Sequence, residues 1–184
     1  MKTLTGHVAV VAGATRGAGR GIARMLGEAG ATVYCTGRSG RLSPAAGRPE
    51  TIEDTADLVT AAGGLGIAVR VDHAAPDEVA ALFDRVRRDH GRLDVLATVM
   101  TGQPASWKPF LDETPSEGRT FIESWIWPRV VTAWHAAQLM VSAKRGLVVE
   151  LVEQDNVGYH GAFYCDMMET LLKRLVLGLA NDLG

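Results

Sequence analysis

Short runs of consecutive apolar residues alternate along the chain with longer segments in which apolar residues recur every three to four positions. The apolar runs predict five buried β-strands, at about 7–12, 31–36, 66–71, 93–99 and 146–152. The periodic segments predict helices at about 17–29, 50–62, 76–90, 116–144 and from 162 to the end. Because the strands are apolar throughout and are separated by helices, we expect a parallel sheet with helices on both faces, a doubly wound α/β fold.

The composition narrows the class of protein. A length of 184 residues suits a single domain, 1–184, and 47 % hydrophobic residues suffice for a packed core. With a net charge of −2 and scattered Lys and Arg, we expect neither nucleic acid nor an anionic membrane as a partner. No signal peptide or membrane span is recognisable, and Cys35 and Cys165 fit reduced thiols. We therefore predict a soluble, cytoplasmic protein, and we predict no metal site.

Glycines are concentrated between the first predicted strand and the first predicted helix, in VAVVAGATRGAGRGIARML. Gly13 allows a tight turn, Gly17 lets the backbone approach a pyrophosphate, and Gly19 lets the helix pack against the strand. The helix N-terminus adds free N–H groups and the positive end of the helix dipole. This turn, which includes Thr15 and Arg16, predicts a dinucleotide-binding site. A tight strand–helix turn without a ligand is the alternative.

The segment GATRGAGRGIA is similar to the T-G-x-x-x-G-x-G segment of the short-chain dehydrogenase/reductase (SDR) family, with Ala12 where Thr is usual. LDVL, at 93–96, resembles the start of the fourth strand in that family, and GLVVE, at 146–150, resembles the fifth. RPETIE, together with the Gly-rich segment, is similar to a bacterial SDR subgroup with a long insertion after the second strand. The resemblance implies a Rossmann-like sheet that binds a nicotinamide cofactor.

The charges after the second predicted strand favour NADP(H). Sites that prefer NAD place Asp or Glu there, whereas this chain has CTGRS. Arg38 and Arg16 offer guanidinium forks suited to a 2′-phosphate, with two solvated arginines as the alternative. The resemblance also implies that Asp72 contacts the adenine amino group, although a turn or a helix N-cap equally places an Asp there.

The catalytic positions depart from the family pattern of Tyr, a Lys four residues later, Ser and Asn. If Tyr164 fills the Tyr position, Met168 fills the Lys position. An ungapped alignment of the end of the last helix instead puts Cys165 in the Tyr position and Glu169 in the Lys position. We favour this second register because it keeps the apolar face of the helix continuous.

The remaining family positions also differ. The Ser position falls on Glu153, the Asn position falls near Trp125, and the family segment N-N-A-G is TVMT at 98–101. A methionine cannot lower a tyrosine pKa by charge, and a glutamate raises it through like-charge repulsion. Carbonyl reduction by the usual mechanism is therefore expected to be slow.

Family members continue beyond the position of Gly184 with two strands and a segment that covers nicotinamide and substrate. A naturally short chain, a truncated chain and completion by a second polypeptide all stay open as explanations. In the family, the two helices that correspond to 116–144 and 162–184 form a four-helix dimer interface, so we predict a homodimer. The predicted interface includes Val131, Trp134, Leu172 and Leu175.

Three hypotheses for function follow. In the first, the redox site has degenerated, any NADP(H) is structural or vestigial, and the pocket performs acid–base chemistry on a small hydrophobic molecule. Isomerisation, dehydration and cyclisation are reactions of this kind, since carboxylates in an apolar pocket act as acid or base. The second is a divergent NADP(H)-dependent oxidoreductase acting on a carbonyl or alcohol, and the third is a non-catalytic, dimerising binding protein. The predicted catalytic residues are Glu153, Tyr164, Cys165 and Glu169.

Overall fold

The computed structural model of the protein describes residues 2–43, 45, 47–101, 108–152, 158–159 and 161–184. Within these residues the strands are β1 Val8–Ala12, β2 Thr32–Gly37, β3 Leu65–Arg70, β4 Val95–Thr98 and β5 Leu147–Glu150. The α-helices are α1 Gly17–Glu28, α2 Ile52–Ala61, α3 Pro76–His90, α4 Pro115–Ala143 and α5 Phe163–Leu183. A short 3-10 helix, Phe110–Asp112, precedes α4. The elements predicted from the hydrophobic pattern are thus confirmed in number, type and order.

The strands form one parallel sheet in the order β3-β2-β1-β4-β5. This confirms the predicted Rossmann-like, doubly wound α/β fold. From β1 the chain proceeds to β2 and β3 on one side and then returns to β4 on the other side. The reversal brings the carboxyl ends of β1 and β4 together, which is where open α/β sheets bind ligands.

Both faces of the sheet are covered. Val8 and Val10 of the central strand pack in a cluster with α3 and α4. Ala9 and Val11, which point to the other face, pack in a cluster with α1 and α2. Since both faces of β1 are buried, its sequence is apolar throughout rather than alternating.

A third apolar cluster joins the first half of α4 to the first half of α5. Its buried members include Phe121, Trp125, Met168 and Leu172. Leu172 is only 1 % exposed within the chain, so its predicted place in a dimer interface is wrong. Trp134 is 61 % exposed on the outer side of α4.

The long helix α4 begins with a capping box, in which the Thr114 hydroxyl accepts from the Glu117 N–H and the Glu117 carboxylate accepts from the Thr114 N–H. Pro115, at the start of the helix, needs no backbone donor there. No helix in the part of the chain that the structure describes is long and apolar enough to span a membrane.

Candidate cofactor and active site

The Gly-rich turn packs closely over the carboxyl ends of β1 and β4. Gly13 has a φ of +92°, and a Cβ there would lie 2.5 Å from the carbonyl oxygen of Val99. A Cβ on Gly19 would lie 2.1 Å from the carbonyl oxygen of Gly13. Gly17 differs, because it has a φ of +52° and open space around its Cβ position. The first two glycines therefore permit close packing, and Gly17 leaves room at the start of α1 for a ligand.

Neighbouring elements hold this turn in place. The N–H groups of Gly13 and Ala14 both donate to the carbonyl of Thr36, at 3.0 and 2.9 Å. From α2, the buried hydroxyl of Thr55 donates to the carbonyl of Ala14 at 2.9 Å. Thr15 is buried against Gly37, where a Cβ would lie 2.6 Å from the Thr15 hydroxyl oxygen. The turn is therefore fixed by β2 and α2 before any ligand binds.

Polar groups suited to a phosphate lie at the end of β2. Arg16 immediately precedes α1, and its guanidinium lies 3.5 Å from the hydroxyl oxygen of Ser39. Arg38 is exposed and directly precedes Ser39 in the chain. Ser39, which the sequence analysis did not single out, is 9 % exposed. These groups offer two cations and a hydroxyl beside the Gly-rich turn, a set that can hold a 2′-phosphate.

Asp72 organises the turn that precedes α3. Its carboxylate accepts from the N–H of Ala74 at 3.0 Å, and its own N–H donates to Glu78 at 2.8 Å. The turn-forming alternative is therefore present in the structure. Contact with an adenine amino group stays a prediction.

The next residue, His73, is a buried polar group that the sequence analysis missed. Its Nε2 lies 2.8 Å from the Thr36 hydroxyl, and its Nδ1 lies 2.9 Å from the Thr132 hydroxyl. These contacts link the end of β2 to α4. Burial lowers the pKa of His73 to about 4, although Asp72 opposes this effect, so the ring is neutral near neutral pH.

At the carboxyl ends of β4 and β5, a buried arginine pairs with a buried glutamate. The Arg129 guanidinium, on α4, donates to the carboxylate of Glu150, the last residue of β5. It also donates to the carbonyls of Met100 and, at 2.6 Å, Trp125. Its carbon atom Cζ lies 5.3 Å from the centre of the Trp125 ring. Arg129 thus fixes the segment after β4 in which the family has N-N-A-G.

Glu150 has an unusual proton affinity. Burial raises its pKa to about 7, even though Arg129 and a hydrogen bond with Thr98 favour the charged form. Glu169 of α5 adds electrostatic repulsion that raises the pKa of Glu150 further. Because this pKa is near neutrality, both protonation states of Glu150 are populated in the physiological range.

The predicted catalytic residues of α5 occupy different surroundings. Glu169, in the Lys position, is 5 % exposed and acts electrostatically on Glu150. Cys165 is equally buried, one helical turn before Glu169. Tyr164 packs against α4, because a Cβ on Gly118 would lie 2.4 Å from the Tyr164 hydroxyl oxygen. Glu153 lies outside the described residues.

The sequence held only a weak signal for Arg129 and Glu150. Arg129 interrupts the apolar stretch WPRVV, and Glu150 ends the apolar strand LVVE. A charge placed inside a buried apolar run usually has a partner, but nothing local identifies that partner. Among the described residues, no group of three His, Cys, Asp or Glu side chains is arranged to hold a metal ion.

Known proteins resemble the chain over most of its length. Human dehydrogenase/reductase SDR family member 1 is 35 % identical over 162 residues, which cover 85 % of this chain and 49 % of the human protein. Cis-4-hydroxycyclohexanecarboxylate dehydrogenase of Sinomonas cyclohexanicum is 33 % identical over 146 residues, or 79 % of this chain and 54 % of that enzyme. The chain therefore spans about half the length of these curated relatives.

A solved structure shares the fold described above. A metagenomic short-chain oxidoreductase in complex with NADP is 28 % identical and has a TM-score of 0.78, with 97 % of this chain and 79 % of that chain covered. The family model for short chain dehydrogenases matches residues 7–155, which include the Gly-rich turn and all five strands. The sheet order and the geometry of the Gly-rich turn agree with this match. This chain belongs to the short-chain dehydrogenase/reductase family.

Proposed function

We propose that this protein binds NADP(H) at the Gly-rich turn and performs non-redox acid–base chemistry on a small hydrophobic molecule. The reaction would be an isomerisation, a dehydration or a cyclisation. The proposal rests above all on one observation, the buried Glu150 carboxyl at the end of β5, which is paired with Arg129 and electrostatically repelled by Glu169. In the favoured register, Glu169 occupies the position where the family has its lysine.

The residues present suit NADP(H). The open space at Gly17 and the start of α1 fit a pyrophosphate, and Arg16, Arg38 and Ser39 would hold the 2′-phosphate. The NADP complex of the similar oxidoreductase supports the same choice. When bound, NADP(H) supplies a hydride carrier in this family. In this proposal it serves as a structural group instead.

The charges of the site favour proton exchange. The Glu150 carboxyl is paired with one buried guanidinium and is repelled by the Glu169 carboxyl, so burial and this repulsion favour the protonated form of Glu150. Glu150 would hold this proton while Glu169 takes a proton from the substrate. Glu150 would then donate its proton to the substrate, so that the two carboxyls have exchanged their roles as acid and base for the next turnover. A carboxyl with a pKa near neutrality is effective both as an acid and as a base.

Proton abstraction can be tested before the substrate is known. The protein is incubated in D₂O with a panel of small cyclic ketones, and NMR detects deuterium at the carbon next to the carbonyl. We expect exchange with the wild type, and a loss of about 100- to 10,000-fold in Glu169→Gln and Glu150→Gln. Glu123→Gln, on the exposed side of α4, is the matched control. Exchange that survives both site variants would contradict the proposal.

The second candidate is a divergent NADP(H)-dependent oxidoreductase, favoured by the dehydrogenases and reductases among the relatives. It predicts NADPH oxidation with some member of a carbonyl panel, lost in Tyr164→Phe. Turnover of this kind would replace the non-redox proposal. NADPH binding without either activity would instead support a binding protein.

We also propose that the protein is a homodimer through α4 and α5. Trp134 of α4 is 61 % exposed and Leu177 of α5 is 50 % exposed, so these two helices carry apolar surface that a partner chain would bury. Light scattering coupled to size exclusion should give twice the chain mass for the wild type and a smaller mass for Trp134→Glu. A monomeric wild type would disprove the dimer.

A further inference from the structure

The segment after β2 forms a tight turn directly beyond Arg38 and Ser39. Gly40 and Ser43 exchange two backbone hydrogen bonds, of 3.3 and 2.9 Å. Ser39 is anchored on the other side of this turn, because its carbonyl accepts from the N–H of Ile52, the first residue of α2, at 3.0 Å. The segment that carries the predicted phosphate ligands is therefore docked against the start of α2.

Arg41, at the tip of this turn, contacts three carboxylates of α2. Its N–H donates to Glu53 at 3.1 Å. Its guanidinium donates to Asp54 at 3.0 and 3.3 Å and to Asp57 at 2.5 Å. Gly40 permits this approach, since a Cβ there would lie 3.0 Å from a carboxylate oxygen of Glu53.

We propose that Arg41 is a positioning residue that sets the preference of this protein for NADP(H) over NAD(H). By joining the turn to α2, Arg41 holds Arg38 and Ser39 beside Arg16, where all three contact the 2′-phosphate. This inference rests on the proposed binding of NADP(H) at the Gly-rich turn.

The ion pairs of Arg41 contribute little to the stability of the fold. Its side chain is 55 % exposed, and exposed ion pairs contribute little to the free energy of unfolding. A segment already held in its binding conformation, however, loses less entropy when the ligand binds. The guanidinium also offsets the negative charge of the three carboxylates, which would otherwise repel a phosphate.

The effect of Arg41 is specific for the 2′-phosphate. NAD(H) carries hydroxyls on the same ribose and makes no demand on the cationic segment. Removal of Arg41 should therefore weaken NADPH binding while NADH binding changes little. A merely structural role would weaken both cofactors equally, because the Gly-rich turn and α2 serve both.

The test measures dissociation constants for NADPH and NADH by fluorescence titration of the full chain. For Arg41→Ala we expect a rise of about 5- to 20-fold for NADPH and less than about twofold for NADH. Arg41→Lys keeps the charge but lacks the planar guanidinium that reaches Asp54 through two nitrogens, so it should recover only part of the affinity. Arg119→Ala, which removes another exposed arginine paired with one acid on α4, is the control and should change neither constant.

The outcomes separate this inference from the proposed function. If the wild type does not bind NADPH, both are overturned. If the wild type binds NADPH but Arg41→Ala keeps its cofactor preference, only the role of Arg41 is overturned. An equal loss of affinity for NADPH and NADH in Arg41→Ala would also overturn it. Full recovery of NADPH affinity in Arg41→Lys would show that the charge at this position, and not the guanidinium contacts, causes the preference. Thermal melting checks that each variant is folded, and Arg41→Gln replaces Arg41→Ala if the latter is not.

Discussion

The guanidinium of Arg129 and the carboxylate of Glu150 form a buried ion pair that joins the middle of α4 to the end of β5. The same guanidinium donates to the carbonyl of Met100, just beyond β4. One side chain thus fixes two strand ends and a helix at the edge of the sheet where this family places its chemistry. Since the ions are nearly excluded from water, each depends on the other for compensation of its charge.

Removal of one member of the Arg129–Glu150 pair should therefore destabilise the fold. We expect Arg129→Met to lower the free energy of unfolding by about 3–5 kcal/mol, because it leaves the buried Glu150 without its cation. Urea denaturation of the wild type and the variant measures this difference. Arg119→Ala, which breaks an exposed pair, should change stability by less than about 1 kcal/mol. An equally small change in Arg129→Met would show that the pair is not buried in solution.

Glu150 makes stability depend on pH. Its pKa is raised by burial from 4.5 to about 7, so between these values the native state binds more protons than the unfolded state. Its stabilising contribution is fully present below about pH 4.5 and is lost as the pH rises through about 7. Urea unfolding of the wild type and of Glu150→Gln across this range should differ by that loss, so the stability of Glu150→Gln should fall less, or rise more, with increasing pH than that of the wild type. An unchanged slope in Glu150→Gln would assign the loss to another group.

His73 has the opposite effect in an overlapping pH range. Its pKa is lowered by burial from 6.5 to about 4, so its contribution is present above pH 6.5 and is lost as the pH falls through about 4. In the wild type the two groups therefore partly cancel between about pH 4.5 and 6.5. His73→Gln keeps a donor and an acceptor for the two threonines but does not titrate. We expect its stability to fall more steeply with pH in this range, as equilibrium unfolding would show, and to follow the wild type above it.

The sequence predicted the fold and the close packing of the Gly-rich turn because their signals are local. Continuous apolar runs indicate strands buried on both faces, and the spacing of Gly13, Gly17 and Gly19 fixes where backbone can approach backbone. The Arg129–Glu150 pair has no such signal. Its members lie 21 positions apart, and only the packing of α4 over β5 brings them together. The polar contacts of His73 likewise depend on tertiary structure.

Tyr164 and Gly118 test the packing of α5 on α4. A Cβ on Gly118 would lie 2.0 Å from the Tyr164 ring, so Gly118→Ala must displace that ring. We expect a loss of about 1–3 kcal/mol in the free energy of unfolding, measured by urea denaturation. Gly178→Ala is the matched control, since a Cβ at Gly178 of α5 meets no atom within 4 Å. It should be neutral or stabilising by up to about 1 kcal/mol. Similar effects of the two substitutions would place Tyr164 elsewhere.

Replacement of Gly13 by alanine should affect mainly the stability of the fold, whereas replacement of Gly17 should affect mainly NADPH binding. At Gly13 the new methyl group would lie 2.5 Å from the Val99 carbonyl oxygen and the φ of +92° is unfavourable, so we expect a loss of stability above about 2 kcal/mol. At Gly17 the methyl group meets no protein atom, and the left-handed backbone costs about 1–2 kcal/mol.

The Gly17 methyl group would instead enter the space that we assign to the pyrophosphate. Gly17→Ala should therefore stay folded and lose at least about tenfold in NADPH affinity, measured by fluorescence titration. Gly21→Ala is the control within α1, because its methyl group also meets no atom within 4 Å but lies further along the helix. It should bind NADPH like the wild type. If Gly17→Ala also binds NADPH unchanged, the pyrophosphate does not lie at the start of α1.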